Sequence, residues 1–286
     1  MKKVIILGAN GMAGHVITAY FRSLLAYQVI AVARTQSIIS PDVLLDVTDF
    51  EQLDLLIKTE KPDYIINAIG ILNEVAERKP DLAILINSYL PHFLESITRN
   101  TTCKIIHIST DCVFSGKKGG YIETDFKDGK GFYAQSKALG EIVNDKDITL
   151  RTSIIGPEIN ESGIGLFHWF MQQGGTIKGY TKAVWAGVTT MELAKAVERA
   201  IDQNTVGLYH VTNQQSINKY DLLNIFKKYT HKIIEISPVD GVVSDKSFID
   251  SRKEFDYQIP TYEVMVKEMI DLMKNNKALY AQYKLD

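Results

Sequence analysis

The sequence predicts an α/β chain, a doubly wound parallel sheet carrying a smaller C-terminal lobe. Three observations predict it. Short β-branched runs, apolar on both faces, alternate with longer helix-period segments through the first two-thirds of the chain, the pattern of a parallel sheet covered by helices on both sides. A glycine-rich turn lies at the first strand–helix junction. After Gly156 the alternation breaks into stretches rich in Gly, Asn and aromatic residues.

In order, the strand candidates are Val4–Leu7, Gln28–Val32, Tyr64–Ala68, Lys104–Ile108, Thr149–Thr152 and Leu208–Val211. Between them helical spacing covers Met12–Leu25, Phe50–Thr59, Leu82–Thr98, Tyr133–Val143 and Thr190–Asp202. Right-handed crossovers then wind the sheet both ways from its centre. Asp49 fits an N-cap before Phe50, Pro62-Asp63 ends a helix before its strand, and Pro80-Asp81 opens the next helix. The expected organisation is a dinucleotide-binding domain over 1–155, to which 181–212 return. Segments 156–180 and 213–260, with a helix at Lys219–Tyr229, form the substrate lobe. Residues 261–286 form a C-terminal helix.

Of the 286 residues 45% are apolar and 23% charged, an ordinary globular balance. With 32 basic and 34 acidic side chains the formal charge is −2, so no general positive field favours nucleic acid. No apolar run approaches the roughly 20 residues of a membrane span. The four-residue run Val4–Leu7 is too short for a signal core and leads into glycines. A cytoplasmic protein is expected, with neither membrane nor nucleic acid as partner. Cys103 and Cys112 bracket a strand, so extended geometry separates them by about 30 Å, beyond disulfide reach. Without CxxC or clustered histidines there is no metal-ligand spacing.

Gly8-Ala9-Asn10-Gly11-Met12-Ala13-Gly14 follows the first strand and runs into a helix. Gly8 permits the tight turn, Gly11 lets a pyrophosphate approach the backbone, and Gly14 lets helix and strand pack closely. The free N–H groups of the helix start favour an anion. Glycines collect in any turn, but this position in a βαβ pattern points to a dinucleotide in a Rossmann fold. The second strand ends Val32-Ala33-Arg34-Thr35 without the carboxylate that would receive a ribose 2′-hydroxyl. Arg34 suits a 2′-phosphate instead, so NADPH is expected, with NADH second. Asp46 and Val47 then fall near the adenine.

The fourth long strand ends Ser109-Thr110-Asp111-Cys112, and Tyr133-Ala134-Gln135-Ser136-Lys137 follows on a helix. Tyr133 and Lys137, four apart, share one face. Reduction of a ketone leaves an alkoxide that needs a proton. A phenol with a pKa near 10 becomes a better acid–base group beside an ammonium. Thr110, at the C-terminal rim of the sheet, is placed to hold the carbonyl oxygen against Tyr133. YxxxK is common by chance, and it gains meaning only with the glycine loop and the strand-end Ser-Thr in this order.

Together GANGMAG, STDCVFSG, Tyr121-Ile122-Glu123-Thr124-Asp125, YAQSK and Leu150-Arg151-Thr152-Ser153 resemble the extended short-chain dehydrogenase/reductase family, especially its branch of dTDP-4-dehydrorhamnose reductases. The order and spacing cover about the whole chain. The resemblance implies a nucleotide-sugar 4-keto reductase of polysaccharide biosynthesis, with Thr110, Tyr133 and Lys137 catalytic. It implies Gly8, Asn10, Gly11, Met12, Arg34, Asp46, Val47, Ala68, Ile69, Gly70 and Asn87, besides Tyr133 and Lys137, along the cofactor. Thr110, Asp111, Cys112, Trp185 and Val188, with Gly187, would face a dTDP- or UDP-linked sugar, and a homodimer is compatible with it. Cys112 stands where that branch usually has tyrosine, and Asp128–Phe132 lack its customary prolines, so a UDP-linked 4-keto-6-deoxy-N-acetylaminosugar is the alternative substrate. Two rival functions are an epimerase or dehydratase of the same fold and a cofactor-binding regulatory subunit without turnover. Phe167, Trp169, Phe170 and Met171 read as lobe core rather than a sugar platform. His15 reads as packing or surface, His168 as packing rather than a phosphate contact.

Overall fold

The computed structural model describes residues 1–285. The chain runs β1 (Lys2–Leu7), α1 (Met12–Ser23), β2 (Tyr27–Ala33), β3 (Val43–Leu44), α2 (Phe50–Glu60), β4 (Tyr64–Asn67), α3 (Asn73–Arg78) and α4 (Pro80–Ala83). A wide π-helical turn at Ile84–Tyr89 leads into α5 (Leu90–Thr98), β5 (Lys104–Thr110), α6 (Gly131–Leu139) and β6 (Ile148–Thr152). β7 (Ile154–Ile155), α7 (Leu166–Gln172), β8 (Thr176–Tyr180), β9 (Ala183–Trp185), β10 (Val188–Thr189), α8 (Thr190–Asp202) and β11 (Gly207–His210) follow. The rest is β12 (Ile217–Asn218), α9 (Lys219–Thr230), β13 (Glu235–Val239), β14 (Ser244–Asp245) and α10 (Tyr262–Asn275).

Seven of these strands make one parallel sheet in the order β11-β6-β5-β4-β1-β2-β3. Its order reverses beside β1, so the loops leaving β1 and β4 diverge and open a cleft at their C-terminal ends. Alternation along β1 sorts the core. Val4 and Ile6 pack with Ile17 of α1 and the apolar face of α8, whereas Ile5 and Leu7 pack with Leu53 of α2 and Leu94 of α5. Each strand residue from Val4 to Leu7 is fully buried.

The lobe is made of small pieces: β7 with β10, β9 between β12 and β14, and β8 with β13. Phe167 and Phe170 of α7 pack edge-on or tilted against Phe226 of α9, which makes them core. Residues 190–210 supply α8, packed on α1, and β11, paired with β6.

Three local expectations need correction. The single helix expected at Leu82–Thr98 is broken by the π-helical turn just before Pro91. Proline has no N–H to donate, and the widened turn absorbs the lost bond. The Tyr133 helix stops at Leu139 rather than Val143, because Gly140 packs so tightly that a Cβ there would lie 1.8 Å from the Asn87 carbonyl. The C-terminal helix expected over 261–286 spans Tyr262–Asn275, and the two-residue edge strand β3 had no sequence signal of its own.

Candidate active site

Gly8 sits at φ 85°, where a side chain would be strained and its Cβ would lie 2.8 Å from Ile69. Its N–H donates to Val32 of β2 at 3.1 Å, and the Gly11 N–H closes the turn on the Gly8 carbonyl at 2.9 Å. At Gly14 a Cβ would fall 1.9 Å from that same carbonyl, so only glycine lets α1 approach β1 this closely. α1 begins at Met12 with no side-chain cap from Gly11, leaving its first N–H groups free.

A cavity of about 290 Å³ opens on this turn. Its walls include Gly8, Asn10, Gly11, Arg34, Asp46, Val47, Ala68, Ile69 and Gly70, so the structure gathers these expected cofactor residues in one place. Asn10 donates to the Thr35 carbonyl at 2.7 Å, tying the glycine loop to the end of β2. Its Oδ1 is buried without a hydrogen-bond partner, a free acceptor beside the cavity. Arg34 is exposed at the rim. Asp46 accepts from the Thr48 N–H and hydroxyl, which hold its carboxyl below the usual range, with a smaller contribution from Arg34. An extended molecule with an anionic middle and a second anion at Arg34 fits these walls.

The side chains of Met12 and Asn87 point elsewhere. Only the Met12 backbone adjoins the cavity residue Gly11, while its sulfur would meet a Cβ at Gly165 at 3.1 Å. Asn87 is fully buried and its amide is satisfied internally, by both polar groups of the Ile71 backbone at 2.8 and 2.9 Å and by Ser136 at 3.0 Å. It clamps the loop after β4 to α6 and does not face the cleft.

Thr110 ends β5, with its hydroxyl accepting from the Cys112 N–H and donating to Asp111, both at 3.1 Å. Tyr133 lies beside it. Burial raises the phenol's pKa, Cys112 and Asp111 add to this, and the neighbouring Thr110 hydroxyl offsets part. The phenol is therefore held as the proton-bearing form, a proton donor at neutral pH.

The Lys137 ammonium is not what the sequence suggested for that phenol. Its Nζ donates to the Ile108 carbonyl at 2.7 Å and lies 3.4 Å from His107 Nε2, under the strand end. Burial lowers it to about 8, Glu141 partly opposing. The Asn67 Oδ1 takes the Ile69 N–H at 3.2 Å, so its amide nitrogen faces His107 Nδ1, also at 3.2 Å. Both ring nitrogens thus face donors, the Asn67 amide and the Lys137 ammonium, and the neutral imidazole accepts from only one of them. Burial, then the Lys137 charge, hold His107 well below its ordinary pKa.

A second cavity of about 340 Å³ adjoins Tyr133 and is lined by Asn73, Glu77, Cys112, Ser115, Lys117, Lys130 and Lys246, among others. Lys246 Nζ is 3.3 Å from the Cys112 sulfur. Burial pulls Lys246 down but Cys112 and Asp111 outweigh it, while burial pushes the thiol up to about 11. Burial lowers the Lys219 pKa, Asp111 and Cys112 partly opposing, and its Nζ lies 5.6 Å over the Trp185 ring. Trp185 itself does not stand at a cleft mouth. It is 4% exposed, donates to Ser153 at 2.6 Å and packs on Tyr262. Val188 is fully buried, and a Cβ on Gly187 would meet the Ser153 carbonyl at 2.1 Å, so this segment is core. Lys219, Lys246, Glu77 and His107 carry no local motif. The register of β5 places His107 three residues before Thr110, which was the one readable clue.

Glu123 supports the rim from behind. It accepts from the His210 N–H at 3.1 Å and from Ser251. Arg151, 1% exposed, makes paired bonds of 2.8 Å to Glu141 and reaches His210. Asp125 caps its own loop by accepting from Ile122.

A model of the family described as "RmlD substrate binding domain" matches residues 1–274. The chain is 26% identical over 262 residues to a dTDP-4-dehydrorhamnose reductase of Aggregatibacter actinomycetemcomitans, covering 87% of this chain and 86% of that one. It is 26% identical over 227 residues to the Bacillus subtilis spore coat polysaccharide biosynthesis protein SpsK, covering 77% of each. A crystal structure of dTDP-4-dehydrorhamnose reductase from Bacillus anthracis in complex with NADP superposes with a TM-score of 0.81, at 22% identity over 95% of this chain and 100% of that one.

Proposed function

The chain belongs to the RmlD substrate binding domain family, and on that premise we propose that it is an NADPH-dependent reductase of the 4-keto group of a nucleotide-linked 6-deoxysugar. The observation that carries the reading is Thr110 at the end of β5 with Tyr133 beside it, Tyr133 lining the cavity at Cys112 while a separate cavity opens on the glycine turn. Similarity to reductases and to a polysaccharide biosynthesis protein supports it.

Gly8–Met12 would hold NADPH, with Arg34 at its 2′-phosphate, and the cofactor when bound would supply the hydride. The rest is done by side chains. Thr110 donates to the substrate oxygen and orients it toward Tyr133. The Tyr133 hydroxyl, kept protonated by its burial, gives its proton to that oxygen as negative charge develops. Lys137 reaches the nicotinamide ribose hydroxyls from its seat at Ile108. Asp111, Cys112, Lys219 and Lys246 face the sugar side. Of the two sugar classes, dTDP-linked 4-keto-6-deoxyhexose follows the named relatives, and the UDP-linked acetamido sugar is the alternative because Cys112 leaves more room than tyrosine.

The test is a panel of dTDP- and UDP-linked 4-keto-6-deoxysugars, each incubated with NADPH or NADH, with product configuration determined. Steady NADPH consumption with at least one is expected. Binding of NADPH without turnover on any would favour the regulatory-subunit reading. Protein purified with tightly held NAD would favour an epimerase or dehydratase.

A further inference from the structure

The reductase mechanism uses neither His15 nor residues 276–285, yet these make the most directional hydrogen-bonded chain near the glycine turn. His15 lies one turn into α1 and is fully buried. Both its backbone N–H, at 3.0 Å, and its ring Nδ1, at 2.9 Å, are on the Gly11 carbonyl. A carbonyl only accepts, so Nδ1 carries the proton and Nε2 is left to accept. Its partner is the Tyr280 hydroxyl at 3.0 Å, itself buried beyond the end of α10.

The geometry of the peptide unit gives this chain a consequence. The Gly11 carbonyl and the Met12 N–H belong to one planar trans peptide and point in opposite directions. Fixing the carbonyl inward fixes the N–H outward, at the uncapped start of α1 where an anion is expected. The same tail holds the other side of Met12. The Tyr283 hydroxyl accepts from the Glu158 N–H at 3.0 Å and bonds His168 at 2.7 Å, and Gln282 donates to the Glu158 carbonyl. The Glu158 carboxylate in turn accepts from the Gly165 N–H at 2.7 Å, and Gly165 abuts the Met12 sulfur.

We propose that residues 276–285 are a strap over the cofactor turn, in which Tyr280 and His15 are positioning residues that aim the Met12 N–H at the pyrophosphate. The inference rests on the dinucleotide reading given above for the identity of the ligand. Burial lowers the His15 pKa to about 4, so the required neutral tautomer persists across the neutral range.

Tyr280→Phe removes only the terminal hydroxyl of the chain. The matched control is Tyr20→Phe, the same change made on α1 itself, where the lost partner is Glu198 rather than His15. NADPH dissociation constants from nicotinamide fluorescence, both KM values, kcat and Tm are measured on each. For Tyr280→Phe the NADPH Kd is expected to rise about three- to tenfold, the worth of one buried neutral hydrogen bond. kcat should stay within about twofold and the sugar-nucleotide KM should not move. Tyr20→Phe should lower Tm without changing the NADPH Kd. His15→Asn, which retains a donor within reach of Gly11, should bind NADPH more tightly than His15→Phe. An unchanged Kd in Tyr280→Phe, or the same loss in Tyr20→Phe, overturns the strap while leaving the reductase reading intact. A wild-type chain that binds neither NADPH nor NADH overturns both.

Discussion

The cavity at the glycine turn and the cavity at Cys112 are built in different ways. The first is walled mostly by four short runs of chain at the ends of strands, within residues 8–11, 32–35, 45–48 and 68–71, with Leu82 and Ile86 added from the helical segment beyond. The second draws single side chains from positions as far apart as Asn73, Cys112, Tyr133 and Lys246. A dinucleotide is read largely by backbone groups, so its site is a local motif that the strand order brings together. A sugar is read by side chains, which sequence neighbours cannot supply. The difference teaches where substitution should have specific effects and where it should be general.

The largest effect is expected at Tyr133, on the wall of the second cavity. Tyr133→Phe should keep the fold and the NADPH Kd but lower kcat about a hundred- to ten-thousandfold, the usual share of general acid catalysis. Turnover within threefold of wild type would remove the phenol from the mechanism. Next comes the residue that the structure moves from the cleft into the core. Trp185→Ala should destabilise the protein by about 3–5 kcal/mol, the range for a buried aromatic, and weaken both ligands together. A normal Tm with only the sugar-nucleotide KM raised would return Trp185 to the substrate site.

On the cofactor side, Arg34→Ala should raise the NADPH Kd about tenfold, as loss of a charge-assisted phosphate contact at an exposed position implies. The NADH Kd should hardly change, and equal changes would reduce Arg34 to loop support. Lys246→Met should do the reverse, raising the sugar-nucleotide KM about threefold to tenfold with the NADPH Kd constant.

The smallest effect concerns pH. Lys137, lowered by burial to about 8, carries its charge below that pH and loses it above. Tyr133, raised by burial, stays protonated throughout this window. The kcat/KM for reduction is therefore expected to fall as pH rises through about 8, and Lys137→Arg should carry that limb to higher pH. A profile flat to pH 10 would mean that the Lys137 charge is not used.

The sheet was legible because Val4–Leu7, Ile65-Ile66 and Ile105-Ile106 are short apolar runs buried on both faces. The glycine turn was legible because three backbone constraints recur at fixed spacing. Asn87 misled because its position matched a pattern while its amide was already spent on Ile71 and Ser136. Trp185 misled because glycines on either side suggested a turn at the surface, whereas Gly187 is there to let the chain press against Ser153. His15 and His107 had no signal, since each acquires its role from a partner 265 or 40 residues away. The proximity of Tyr133 and Lys137 on one helix face was readable, but not that the ammonium would be anchored beneath the strand end.

The central claim, hydride delivery to the 4-keto carbon of a sugar held beside Tyr133, is tested most directly with NADPH deuterated at the transferring position. The protein, a dTDP- or UDP-linked 4-keto-6-deoxysugar and the labelled cofactor are combined, and the product is read by mass spectrometry and proton NMR. The account predicts one deuterium, bound to carbon 4 of the sugar, in wild type, and its near-complete loss in Tyr133→Phe at equal NADPH occupancy. Unlabelled sugar, or label at any other carbon, would contradict it.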